Sequence, residues 1–146
     1  MSSGIDSFNL QRFVDAQATV YEHVRDELQA GAKRSHWMWF IFPQLKQLGQ
    51  SSTSKFYGLG SLQEAQAYWR HPLLGLRLKE CTALVLAVEG KTAFQIFSTP
   101  DDLKFQSCMT LFERAAPKEP SFGRALAKYY RGGRDRKTLA LLAEEN

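Results

Sequence analysis

Metal and disulfide chemistry have little to work with in this chain. Of 146 residues, two are cysteines and three are histidines. Cys81 and Cys108 form no CxxC and lie inside apolar segments, the pattern of two reduced, buried thiols in a cytoplasmic protein. His23, His36 and His71 have no spaced carboxylate or cysteine partner, and there is no HExxH, so no metal site is expected. No stretch approaches ~18 consecutive apolar residues, which sets aside a membrane span and a membrane partner. The N-terminus, Met-Ser-Ser-Gly-Ile-Asp, has neither a basic start nor an apolar run and does not read as a signal peptide. A GxSxG elbow, a Walker loop, a GxGxxG fingerprint and the kinase motifs are all missing. That argues against the familiar hydrolase, NTPase and dinucleotide-dependent classes and leaves no cofactor to expect.

What is present belongs to a packed domain. Hydrophobic residues make up 44% and charged residues 23%, which argues against disorder. The length suits one domain, residues 1–146, with 1–6 and 143–146 as frayed ends. A net charge of +4 permits contact with phosphates or acidic surfaces without requiring it.

Helical punctuation runs through nearly the whole chain. Leu10, Phe13, Val14, Val20, Tyr21, Val24 and Leu28 fall at helical spacings. They predict one amphipathic helix, with Arg12, Asp15, Glu22, Arg25 and Asp26 on or near its wet side and Gly31 as its left-handed stop. Residues 44–60 read as a loop, either a lid hinged at Gly49, Gly58 and Gly60 or a plain exposed connection. Ser61-Leu62-Gln63-Glu64 is a capping box opening a helix through Trp69. His71-Pro72 breaks the chain before a helix from Leu73 to Glu89, stopped by Gly90. Thr92 caps a short turn to Phe97, and Thr99-Pro100-Asp101-Asp102 opens a helix to Ala115. Ser121–Arg131 and a last helix capped by Asp135 complete the set. The expectation is an all-α, compact single-domain bundle of about seven helices with little or no sheet.

Residues 33–44, Lys-Arg-Ser-His-Trp-Met-Trp-Phe-Ile-Phe-Pro-Gln, are the most informative segment. Large apolar groups on every side of such a run require burial or a place on a cleft wall. Its aromatic content suits a strand, but the chain offers no strand to pair with, and a short buried helix ending at Pro43 is predicted. On a helix, His36, Trp39, Phe40 and Pro43 share one face, and Trp37 and Ile41 another.

The chain resembles a family of small, mostly helical bacterial and fungal proteins known as domain of unknown function 1810, sometimes labelled calpastatin. The resemblance rests on Leu10 to Gln17, on the Lys33–Gln44 run, on His71-Pro72-Leu73-Leu74-Gly75-Leu76-Arg77-Leu78, on Asp102-Leu103-Lys104 with Ser107 to Phe112, and on Gly132 to Leu139. It implies an all-helical single domain and supplies no activity, catalytic residue or cofactor. The calpastatin label does not suit this chain, because that inhibitor is a long, polar, disordered chain and this one has the apolar content of a core.

Function is therefore read from the residues alone. A pocket behind the aromatic run would have Trp37, Trp39 and Tyr57 in its wall and Lys33, Gln44, His71 and Arg77 among its polar groups. A mostly apolar cleft with a few convergent polar groups is the usual form of a ligand site. Aromatics beside Lys and Arg suit a nucleotide-like small molecule, ADP-ribose among them, by stacking plus phosphate pairing. If chemistry occurs there, His36 is the acid or base, with Asp102 orienting a hydroxyl or itself serving as a base and Lys104 near the substrate anion at a helix start. Two alternatives remain. Arg131, Arg134, Arg136 and Lys137 at the Gly132-Gly133 turn would contact nucleic acid, a partner less favoured because no aromatics interleave with them. An exposed Trp37 or Trp39 would instead mark a protein-interaction or homodimer face.

Overall fold

Four helices, α4, α5, α7 and α10, start where an N-cap side chain accepts from a first-turn amide. In the computed structural model, which describes residues 6–145, the helices are α1 (Gln11–Ala18), α2 (Tyr21–Gln29), α3 (Met38–Ile41), α4 (Ser52–Phe56), α5 (Leu62–Arg70), α6 (Leu74–Ala87), α7 (Ala93–Phe97), α8 (Asp101–Ala115), α9 (Ser121–Tyr130) and α10 (Arg136–Glu144), with a 3-10 turn at Lys46–Leu48. Among the described residues no helix is long and apolar enough to cross a membrane. Of the ends expected to fray, 1–5 and 146 lie outside the described residues. Asp6 accepts from the amides of Leu10 (2.6 Å) and Gln11 (2.8 Å) ahead of α1, and Ala143 and Glu144 complete α10.

The all-helical expectation holds, with more and shorter helices than the spacing predicts. The single helix expected from Leu10 to Leu28 is two. Consecutive β-branched residues, Thr19 and Val20, interrupt it, and Val20 leaves the helical region at φ −122°. The break re-aims α2 so that Tyr21, Val24 and Leu28 are buried and α2 packs on α6. Gly31, at φ +69°, ends α2 as expected.

Residues 44–60 are not a plain loop. Ser51 and Ser54 form a reciprocal capping box that opens α4. It is a Ser-x-x-Ser variant of the usual Ser-x-x-Glu pattern. Leu45 and Leu59 form a single parallel bridge, with the Lys46 amide 2.8 Å from the Leu59 carbonyl and the Leu59 amide 3.0 Å from that of Gln44. Gly58 is there for close approach, since a Cβ would sit 2.3 Å from Lys46 Cα.

The helices gather around α8, which packs against α5, α7, α9 and α10, while α6 packs against α2, α5 and α9. The core is aromatic. Phe42 meets Phe97 and Phe105 edge-on at 6.0 and 4.9 Å, and Tyr68 and Phe122 flank Phe112. α3 contributes Met38 and Ile41 to this core, with Trp37 and Phe42 beside them. The inward positions recur at helical rather than alternating spacing, as the choice of a short helix requires.

Arg12 is not on the wet side. Its side chain is 9% exposed and lies 2.9 Å from Glu64, itself 9% exposed. Nε donates to the Phe56 carbonyl at 2.7 Å. One terminal nitrogen serves the carbonyls of Phe8 and Asn9, both at 2.7 Å. The other serves the Gly58 carbonyl (3.1 Å) and the Glu64 carboxylate. All five guanidinium donors are used. The second Glu64 oxygen takes the Gly60 amide at 2.8 Å, so Glu64 does not complete the expected capping box, in which Ser61 alone accepts from the Glu64 amide. Removing one partner of a buried ion pair leaves a desolvated charge. Arg12→Ala is expected to lower unfolding free energy by about 3–5 kcal/mol in urea titration, and Arg12→Lys, with three donors for five acceptors, by about half of that. A loss below about 1 kcal/mol for Arg12→Ala would show that the cluster holds nothing together.

Candidate functional site

A cleft of about 480 Å³ opens where α3, the 44–54 segment, the first half of α8 and the start of α10 meet. Its apolar wall is Trp39, Leu48, Pro100 and Leu103. Its polar groups include Gln44, Ser51, Ser54, Lys104, Ser107, Asp135 and Lys137. Leu103, Lys104 and Ser107 form one stripe of α8 at helical spacing, continued by Pro100 at its N-cap. On the single turn of α3, Met38 and Ile41 point to the core, which turns the half-buried Trp39 toward the cleft. The floor is tied down by Thr110, which donates to the Gln106 carbonyl (2.8 Å) and accepts from the Asp135 amide (2.9 Å), fixing α10 to α8. One oxygen of the Asp135 carboxylate, Oδ2, caps α10 by accepting from the Thr138 amide at 2.9 Å and hydroxyl at 2.6 Å.

Two lysines meet one carboxylate at the edge of this wall. Lys33 Nζ is 2.8 Å from Asp101 Oδ2, with its side chain 7% exposed. It also donates to the Ser35 carbonyl at 2.6 Å and lies 5.0 Å from the centre of the Trp37 ring. Lys104 Nζ is 3.7 Å from Asp101 Oδ1, 24% exposed, and 5.4 Å from the centre of the Trp39 ring.

The loop that delivers Trp39 is held by Glu27 of α2. One carboxylate oxygen accepts from the amides of Arg34 (2.8 Å) and Ser35 (3.0 Å) and from the Trp37 indole N–H (2.8 Å). The other accepts from the Ser35 hydroxyl at 2.5 Å. Partial burial pushes this carboxyl up. The Ser35 hydroxyl, the two amides and the indole outweigh that and hold it at about 2, below its ordinary 4.5.

Of the residues expected at a site, Trp39, Gln44 and Lys104 line the cleft, and Lys33 adjoins it through Asp101. The rest lie elsewhere. Trp37 is 1% exposed, in the core. Tyr57 packs against Phe13, Phe40 and Phe56. Arg77 covers the Tyr21 ring at 4.4 Å and donates to Gln17 at 3.2 Å. His71 caps α6, its Nδ1 accepting from the amides of Leu73 (3.1 Å) and Leu74 (3.2 Å). His36 is exposed just before α3. Asp102 Oδ1 accepts from the Leu103 amide within α8, and the Asp102 carbonyl accepts from the Tyr130 hydroxyl. Among the described residues no three His, Cys, Asp or Glu side chains converge as a metal cage would require. Leu103 and Ser107 also line the cleft, and the sequence pattern does not single them out. The α8 stripe was readable once that helix was placed, whereas nothing local to Glu27 points to its role.

An all-helical domain with a mixed aromatic and cationic cleft is the class this geometry defines. The chain belongs to the family described as "Protein of unknown function (DUF1810)", whose model matches residues 7–142. It is similar to the conserved hypothetical protein Rv1873 from Mycobacterium tuberculosis. The two are 59% identical, the match covers 94% of this chain and 99% of that one, and the TM-score is 0.94. No curated protein matches the chain.

The Glu27 carboxylate yields a pH signature. Its folded-state value of about 2 lies below the ordinary 4.5, so its contribution is complete above pH 4.5 and is lost as pH falls through about 2. Glu27→Gln is expected to cost about 2 kcal/mol at pH 7 and to flatten the loss of stability between those two values. Denaturation at pH 7, 4.5 and 3 checks this, and parallel wild-type and variant curves would refute it.

Proposed function

We propose that this protein binds a nucleotide-like small molecule in the cleft between α3, α8 and α10. One observation carries the reading: the half-buried Trp39 indole and the Lys104 ammonium occupy the same wall. An indole face takes a planar heterocycle and a neighbouring cation takes the anion attached to it. A volume of about 480 Å³ is within the usual range for small-ligand pockets. Gln44 adds a side-chain amide for a base edge or a sugar, while the Ser51 and Ser54 hydroxyls are already paired in the capping box of α4. A cytoplasmic location accompanies this reading, since Cys81 and Cys108 are both free and buried.

The basic turn is the weaker site for a polyanion. Arg134 there is forked onto Glu113 at 2.6 and 2.8 Å. A thermal-shift panel of nucleotides, NAD, ADP-ribose and short oligonucleotides at two salt concentrations separates the two readings. The expected result is a midpoint rise with a mononucleotide-sized ligand, and at least tenfold weaker binding for Trp39→Ala with a melting temperature within a few degrees of wild type. Oligonucleotide binding that collapses with salt and ignores Trp39→Ala would place function at the basic turn instead.

A further inference from the structure

Resting on the nucleotide reading above, we propose that Lys104 is the specificity determinant of the cleft, selecting a phosphorylated nucleoside over the neutral nucleoside. The charges around the wall do not balance. Within the lining, Lys104 and Lys137 face a single carboxylate, Asp135, and at its edge Asp101 is shared between Lys33 and Lys104. Asp101 is committed first to Lys33, because the 2.8 Å contact is the shorter one and Lys33 is the more buried cation. An ammonium with a 7% exposed side chain needs a full counter-ion, since water screens it least. Lys104 receives only the second Asp101 oxygen, at 3.7 Å, beyond hydrogen-bond reach. Asp135 belongs to α10 through Thr138. Lys137 takes part in no ion pair among the described residues.

Lys104 is thus the surplus cation, partly desolvated and resting on the face of the indole that a base would cover. In the free protein it lies over the Trp39 ring at 5.4 Å as well as 3.7 Å from Asp101. A base stacking on that face displaces the ammonium from the ring. A neutral nucleoside gives it nothing in return and so competes against the cation–π contact. A phosphate attached to the same ligand takes up the displaced ammonium in a charge-assisted hydrogen bond. Lys137, exposed on the opposite element of the same lining, adds to the field that favours the anion.

Titrating the full-length protein with the four nucleosides, their 5′-monophosphates and inorganic phosphate tests this by calorimetry and tryptophan quenching. At least one 5′-monophosphate should bind about tenfold or more tightly than its nucleoside. Lys104→Met should bring that monophosphate down to the nucleoside's affinity while leaving nucleoside binding unchanged or tighter. Lys104→Arg should keep the preference, and Lys118→Met, an exposed charge control, should change neither affinity. Equal affinities for nucleoside and monophosphate in the wild type would overturn the role of Lys104 and leave the nucleotide cleft standing, as would a preference that survives in Lys104→Met. Binding of inorganic phosphate alone, with no gain from the base, or no binding by any of these compounds, would overturn the nucleotide reading together with it.

Discussion

A single guanidinium ties the N-terminal third of the molecule together. Arg12 reaches carbonyls before α1, at the end of α4 and at Gly58, and a carboxylate in the first turn of α5. A hydrophobic residue of equal volume would fill the same space more cheaply, because burying a cation costs several kcal/mol of lost hydration. What the cation adds is geometry. A planar fork with five donors is satisfied only when all five acceptors stand in the right places. The constraint acts on the segment between Pro43 and Ser61, which is otherwise anchored to the core mainly at Leu45, Tyr57 and Leu59. That segment carries Gln44, Leu48, Ser51 and Ser54, one side of the cleft. The hinged lid that its glycines suggest is therefore not what the packing describes. The segment is clamped from behind by Arg12, bridged at its base by Leu45 and Leu59, and pressed against Lys46 at Gly58.

The opposite wall is built on the same plan with the signs reversed. Here a carboxylate, Glu27, collects four donors from the Arg34–Trp37 stretch. Its bond to the Trp37 indole settles which of two neighbouring tryptophans turns inward. With Trp37 anchored to α2, the next turn of backbone sends Met38 and Ile41 to the core and Trp39 to the cleft. Lys33 at the head of the same stretch then meets Asp101 at the head of α8. The cleft is thus bounded by two polar anchors, each placed by residues distant from it in sequence.

That architecture explains which parts were legible from the residues alone. Caps and stops are local, so Gly31, Thr92, Asp135 and the His71-Pro72 break could be read directly, and the helices between them follow. The Thr19-Val20 interruption was hidden because the apolar spacing runs through it at the helical period. α4 was hidden because its capping box uses a second serine in place of an acid. Among the site residues, Trp39, Gln44 and Lys104 could be nominated from residue type and position near the aromatic run. Tyr57, His71 and Arg77 have the same kinds of side chain but spend them on packing and capping. No local pattern separates the two groups. The separation depends on Arg12 meeting Glu64 and Glu27 meeting Trp37, contacts that a sequence period does not encode.

The connection between α7 and α8 shows how closely the cleft depends on backbone placement. Ser98 sits at φ +63° and ψ 178°, a region that glycine favours and that costs a side-chain-bearing residue of order 1–3 kcal/mol. Its amide donates to the Phe94 carbonyl of α7, and its carbonyl accepts from the Asp102 amide in the first turn of α8. One residue therefore closes the first helix and opens the second. Two residues upstream, the Ile96 carbonyl accepts from the Lys33 amide at 2.8 Å. The strained turn thus joins the strand of backbone carrying Lys33 to the helix carrying Asp101 and Lys104. A relaxed turn would rotate the start of α8 and separate Asp101 from Lys33. Lys33 would then be a buried cation without its counter-ion, a larger penalty than the strain itself. The conformation of Ser98 is held by that difference, and the position of Lys104 over Trp39 is its consequence.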